Sequence, residues 1–169
     1  MRLTLAPAAL VALAPASAYA VNYLSPEQAA QSMFPDADRF DAQTLAPEAG
    51  GRPVGVRVAK KGEAVLGYVV LDDVVGKVEL ISFAVGIATD GSVKQVEILA
   101  YRESHGGEIR LPAWRKQFVG KNASAPLRVG SDIANISGAT LSCSHVTDGI
   151  RRIVQAVDVA RRGQPAWAR

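Results

Sequence analysis

The chain has 169 residues, 49% of them hydrophobic and 21% charged, with a formal net charge of +3 at pH 7. That balance sits near the globular average of about 45–50% apolar and 25% charged, which excludes a disordered, collagenous or coiled-coil chain. Lys and Arg cluster no further than pairs such as Arg151-Arg152 and Arg161-Arg162, too few phosphate contacts for a duplex nucleic acid, aromatic content of 6% disfavours a base-stacking surface, and one cysteine with two histidines excludes both an internal disulfide and a four-ligand zinc site.

Residues 1–20 read MRLTLAPAALVALAPASAYA. Arg2 supplies a positive start, Leu3 to Ala14 is an apolar run broken only by Thr4 and Pro7, and Ala18-Tyr19-Ala20 puts small residues at −3 and −1. This is the layout of a secretory signal peptide. The run is shorter than the roughly 20 residues that span a bilayer; the alternative is a retained anchor. Removing these 20 of 169 residues leaves 149, one domain over 21–169. The expected product is periplasmic or otherwise extracytoplasmic, soluble after cleavage and membrane-associated if the segment stays.

Ser25-Pro26-Glu27-Gln28 starts a helix, with serine as N-cap, proline in the first turn and Gln28 completing a capping box. It carries Ala29, Ala30, Met33 and Phe34 and stops before Pro35. Residues 35–53 are punctuated by Pro35, Pro47, Gly50, Gly51 and Pro53 and read as irregular, with a short strand near Asp41–Leu45. Alternation of Val54, Val56 and Val58 then marks a strand, Lys60–Glu63 a turn, and Ala64–Leu71, apolar on both faces, a central strand. Asp72–Lys77 reads as a second break. Glu79–Ala88 and Ser92–Tyr101 flank Asp90-Gly91, a hairpin signal. Alternation puts Val96, Ile98 and Ala100 on one side and Glu97, Leu99 and Tyr101 on the other.

Past Tyr101 the strand pattern ends in Arg102–Glu108, where Gly106 and Gly107 permit a sharp path or a close approach to a ligand. Pro112–Phe118 reads as a short helix and Gly120–Gly130 as loop. A long helix from about Ala139 to Ala160 presents Val146, Ile150, Ile153, Val154 and Val157 on one face. Strands in succession closed by a helix imply an α+β fold: a twisted antiparallel sheet with helices packed on one side and a long C-terminal helix.

The segment Ile136–Ser142 enters that helix with small and hydroxyl-bearing residues. Helix N-termini offer unpaired N–H donors and the positive dipole end, which suits phosphate. The competing reading is plain capping by Ser137 with Thr140 at N3. His105 beside Gly106-Gly107 is a loop residue, a ligand contact, half of a metal pair with His145, or an esterase-like oxyanion loop; no G-x-S-x-G elbow accompanies it. Cys143 is a packing residue or a thiol activated by the helix start. Trp114 and Phe118 are core or edge contacts to a cofactor.

Ser137-Gly138-Ala139-Thr140 resembles the S/T-G-A-T flavinylation motif of the FMN-binding domain family, which includes flavoprotein subunits of the Rnf complex and of the sodium-pumping NADH:quinone reductase. Glu103-Ser104-His105-Gly106 after a strand, and Trp114-Arg115-Lys116-Gln117-Phe118-Val119-Gly120-Lys121 after that, are similar to that family's E-S-x-G loop and W…Q-F-x-G-K stretch. The likeness covers about residues 62–160. It implies FMN joined covalently by a phosphoester to Thr140, with Ser137, Gly138, Ala139, Leu141, Ser142 and the loop Glu103, Ser104, His105, Gly106 and Gly107 around it. It also implies a separate Mg-dependent flavin transferase using FAD as donor, and a membrane electron-transfer protein as partner. The role implied is electron carrier, not stand-alone enzyme; a flavin-dependent reductase with its own substrate ranks behind it. One position departs from the family: three residues before Ser137, where an aspartate is usual, stands Ala134, next to Asn135, with Asp132 the nearest acid. That departure favours the alternative, a secreted binding or sensory module of the same fold that carries no flavin.

Overall fold

In the computed structural model, which describes residues 21–45 and 53–163, the first helix forms as its sequence dictates. Ser25 Oγ accepts from Gln28 N–H at 3.2 Å while Gln28 Oε1 accepts from Ser25 N–H at 2.8 Å, a reciprocal capping box over helix α1, Pro26–Met33. The expected signal segment, and the irregular stretch around Pro47, Gly50 and Gly51, lie outside the described residues.

Among the described residues six strands make one antiparallel sheet: β1 Val21–Asn22, β2 Arg39–Leu45, β3 Val54–Lys61, β4 Ala64–Val75, β5 Leu80–Ala88 and β6 Val93–Tyr101. Their order across the sheet is β1-β6-β5-β4-β3-β2. Strands β2 to β6 thus form a meander of neighbours, and β1 closes the far edge by pairing Val21 with Tyr101. Helix α2, Pro112–Arg115, and helix α3, Thr140–Gly163, follow.

The α+β class, the antiparallel sheet and the long C-terminal helix are as the sequence implies. The placing of helices differs. Helix α3 buries Val146, Ile150, Ile153, Val154 and Val157 against Val58, Val70, Phe83, Val85 and Ile98 on one face. Helix α1 covers the other face, where Ala29, Ala30, Met33 and Phe34 meet Ala59, Val69, Ala84 and Leu99. Met33 and Phe34 lie flush on Gly86 and Gly67: a Cβ at Gly86 would stand 2.9 Å from Met33 Sδ, and one at Gly67 2.5 Å from Phe34. A strand apolar on both faces needs cover on both, so the chain runs from edge to edge across the back of the sheet to supply it.

Two further expectations shift. The break expected at Asp72–Lys77 is shorter, because β4 runs on to Val75 with Asp72 opposite Phe83 and Val74 opposite Ile81. The poor strand propensity of two aspartates is outweighed by nine paired residues and the burial of Val74. The strand near residue 41 is longer than expected, starting at Arg39 as an edge strand.

A third shift sets up the site. Phe83 faces Ile98 but Ser82 faces Ala100, so Leu99 is an extra residue on β6. Such a bulge reverses the alternation beyond it. Leu99 turns to the α1 face, while Tyr101, expected beside it, joins Val96 and Ile98 on the α3 face.

Candidate functional site

Tyr101 ends β6 with its phenol pointing at the start of α3. Its hydroxyl donates to the His105 carbonyl at 2.5 Å. With that single proton committed, the phenol oxygen accepts from Ser142 Oγ at 3.0 Å. Burial pushes the phenol pKa up, partly offset by the Ser142 bond, and Glu103 and Glu108 push the same way as burial. One buried hydroxyl therefore ties the loop after β6 to the first turn of the last helix. The loop closes on that turn through Gly106, whose φ is +89°. A Cβ there would stand 2.7 Å from Tyr101 Oη and 2.9 Å from Ala139 Cβ.

Helix α3 begins at Thr140, and the Ala139 carbonyl accepts the first helical bond, from Cys143 N–H at 2.8 Å. Ala139 is therefore the N-cap, and the expectation of Ser137 as cap with Thr140 at N3 gives way: Ser137 lies outside the helix and is exposed. An alanine cap brings no side-chain oxygen, so among the described residues no acceptor meets the N–H groups of Thr140, Leu141 or Ser142. Gly138, with φ +84°, has nothing within 4 Å of where a Cβ would be. Thr140 is exposed, and its Oγ1 accepts from Asn135 Nδ2 at 3.0 Å. An open hydroxyl, open N–H donors and a bare glycine together make a cradle for a phosphate group, so the residues present fit the phosphate end of FMN.

Two clefts adjoin this cradle. The smaller, about 410 Å³, is lined by Lys77, Glu103, Ser104, His105, Gly138, Ala139, Thr140, Leu141 and Ser142. The larger, about 590 Å³, is lined by Val21, Tyr23, Tyr101, Glu103–Glu108, Arg110, Leu111, Ser137 and Gly138. All eleven residues nominated from the sequence line one cleft or the other. Ser142 and Ala139 do so from below, as buried side chains.

Several nominated groups turn out to hold the scaffold. Glu103 Oε1 accepts from Val78 N–H at 2.6 Å and Glu79 N–H at 2.9 Å. Burial alone would raise its pKa; the N–H groups of Val78, Glu79 and Lys77, with the Lys77 charge, bring it below the usual value. Asp132 Oδ1 accepts from Arg128 N–H at 2.8 Å, Oδ2 accepts from Leu127 N–H at 3.2 Å and pairs with Lys121 Nζ at 2.9 Å. Burial opposes its ionisation too, and these partners lower its pKa. Asp132 is thus a clamp on the 127–132 loop. Ala134, at the place of the family aspartate, is gripped on both sides of its backbone: Trp114 Nε1 donates to its carbonyl at 2.9 Å and its N–H donates to Gln117 Oε1 at 2.7 Å. Trp114 and Phe118 are core residues packed edge to face, 5.0 Å between centroids. Cys143 is fully buried and burial raises its thiol pKa, so packing is its role.

His105 Nδ1 lies 2.9 Å from Ser104 Oγ, both exposed at the cleft. His145 Nδ1 donates to the carbonyls of Val75 at 2.6 Å and Gly76 at 3.0 Å, which fastens α3 to the turn after β4. Sequence reasoning missed Tyr23, Tyr101, Arg110 and Lys77 as cleft residues. Tyr23 and Lys77 stand far from the motif in the chain, and no local pattern marks them.

The two clamps carry an acid test. Both carboxyls have folded pKa values below their unfolded ones, so the stability they lend is whole above about pH 5 and is lost as pH falls through the lowered values. Acidification to about pH 3 should reduce the hydrogen-exchange protection factors of the Val78, Glu79, Leu127 and Arg128 amides before those of β4 to β6. Protection unchanged at these four amides would show that the clamps carry no weight.

Among the described residues no helix is long and apolar enough to cross a membrane, and no three His, Cys, Asp or Glu side chains gather as a metal site. Residues 76–155 match the family model of the FMN-binding domain. No curated protein matches the chain.

Proposed function

The chain belongs to the FMN-binding domain family through residues 76–155, and from that premise we propose that it is an exported electron carrier whose FMN is esterified to Thr140. That it is an FMN-binding flavoprotein follows from the family; attachment, export and carrier role are the proposal. The observation that carries it is the exposed Thr140 hydroxyl at an uncapped helix start, opening into a cleft shared with the Glu103–His105 loop.

The chemistry asked of the chain is modest. The Thr140 oxygen forms one bond to the FMN phosphorus of FAD, the pyrophosphate P–O bond breaks, AMP leaves and the hydroxyl proton is released. A separate Mg-dependent transferase supplies the catalysis. The N–H groups of Leu141 and Ser142, at the positive end of α3, would hold the remaining phosphate charge. A tether also prevents loss of the cofactor from a protein outside the cytoplasm. Bound FMN supplies the capacity to accept and release electrons, and the protein positions it and tunes its potential. The proposed partners are that transferase and a membrane electron-transfer protein, with no turnover of a small substrate by the chain alone.

The mass of the protein recovered after co-expression with a flavin transferase tests this reading. The expected mass lacks residues 1–20 and gains one FMN less one water. A mass without the adduct, from a transferase shown active on another target, refutes the ester; a mass that retains the first 20 residues refutes cleavage.

One observation favours the second reading, a flavin-free binding or sensory module. Ala134 replaces the family aspartate, and Asp132 is spent on Leu127, Arg128 and Lys121 and so is not free to take its place. A stably folded product with no flavin absorbance decides for it.

A further inference from the structure

The smaller cleft holds the Thr140 hydroxyl but no Phe, Tyr or Trp side chain. The larger cleft has two, Tyr23 and Tyr101, with Val21 and Leu111 beside them. The two adjoin, since Gly138, Glu103, Ser104 and His105 line both. At Gly138, on their shared rim, nothing lies within 4 Å of where a Cβ would be. The Arg110 guanidinium lies over the Tyr23 ring, 5.2 Å from its centroid. Tyr23 is half-buried, and its backbone is pinned by N–H donation to the Leu99 carbonyl at 2.8 Å.

We propose that the larger cleft receives the isoalloxazine ring of the FMN held at Thr140, with Tyr23 and Arg110 as its aromatic and cationic wall. This rests on the flavoprotein reading and adds to it a part of the site that the family match omits, since Tyr23 lies outside residues 76–155. A planar, electron-poor ring gains most from burial against an electron-rich phenol ring, and a cleft of about 590 Å³ is of the size that small-molecule sites have, roughly 300–1,000 Å³. A fixed positive charge on the same wall favours the electron-richer, reduced form of a bound flavin. The N-terminal strand β1, which leads directly into Tyr23, is then part of the cofactor site and not only an edge of the sheet.

The full chain, co-expressed with a flavin transferase, is compared with Tyr23→Ala, Tyr23→Phe and Arg110→Gln by adduct mass, flavin absorbance and fluorescence, and midpoint potential. The phenol quenches flavin fluorescence by electron donation, so Tyr23→Phe, which keeps the packing, should raise emission several-fold at full adduct. Tyr23→Ala should also shift the visible band, and Arg110→Gln should move the potential to more negative values. Variants with full adduct and unchanged emission, band position and potential overturn the ring site while leaving the ester intact. If the wild-type chain carries no adduct, the ester reading fails separately, and titration with free FMN decides the ring site. Binding that Tyr23→Ala weakens tenfold or more supports it. Equal binding, or none to the wild type, overturns it.

Discussion

Thr140→Ala should abolish the flavin-fluorescent band of this protein in a denaturing gel, whereas Ser142→Ala should leave it. The two hydroxyls are two residues apart on the first turn of α3, and exposure separates them. Thr140 is open to the cleft, and among the described residues its oxygen meets only Asn135 Nδ2. Ser142 is 4% exposed and donates to Tyr101, so a transferase cannot reach it. Loss at Thr140 is all-or-none because a phosphoester needs that oxygen. Loss at Ser142 removes one hydrogen bond, about 1 kcal/mol, while Tyr101 keeps its bond to the His105 carbonyl. If both variants keep the band, or both lose it, the attachment residue has been wrongly chosen.

Gly106→Val should be the most disruptive single change near the site, and Gly107→Ala close to silent. Gly106 sits at φ +89°, where a side chain costs roughly 1–2 kcal/mol. Its new Cβ would press on the Tyr101 hydroxyl at 2.7 Å and on Ala139 at 2.9 Å, and neither can retreat: one is held by two hydrogen bonds and the other is the N-cap of α3. Overpacking adds about 1–3 kcal/mol. A destabilisation of about 2–5 kcal/mol corresponds to a fall in Tm of roughly 6–15 °C for a domain of this size. Gly107 has no such strain, and its nearest neighbour, Tyr101 Cδ1, is 3.9 Å away. Thermal unfolding of the two variants checks the contrast. Equal losses would mean that the demand lies in the loop as a whole and not in the contact of Gly106 with Ala139.

The loop and the motif can be found in the sequence because their chemistry is local. Paired glycines, a run of small hydroxyl residues and the apolar face of α3 all depend on neighbours within a few positions. The same holds for the Ser25 capping box and the Asp90-Gly91 hairpin, which form as read. What each polar group is used for is another matter. Glu103 looks like a ligand contact and serves two backbone N–H groups of the turn after β4. Asp132 looks like a displaced motif aspartate and clamps its own loop. Carboxylates take whichever donors the fold brings near, and those donors come from other strands and loops.

By itself the sequence determined the elements, the α+β class, the resemblance to the FMN-binding domain family and the run of small and hydroxyl-bearing residues at the mouth of the last helix, since periodicity, capping and small-residue motifs are short-range properties. Only the tertiary structure decided that α1 covers the back of the sheet, that one extra residue at Leu99 swings Tyr101 to the site, and that Tyr23 reaches the larger cleft. Each of these follows from strand register and edge pairing, which are settled by contacts between residues tens of positions apart and leave no mark in any local window.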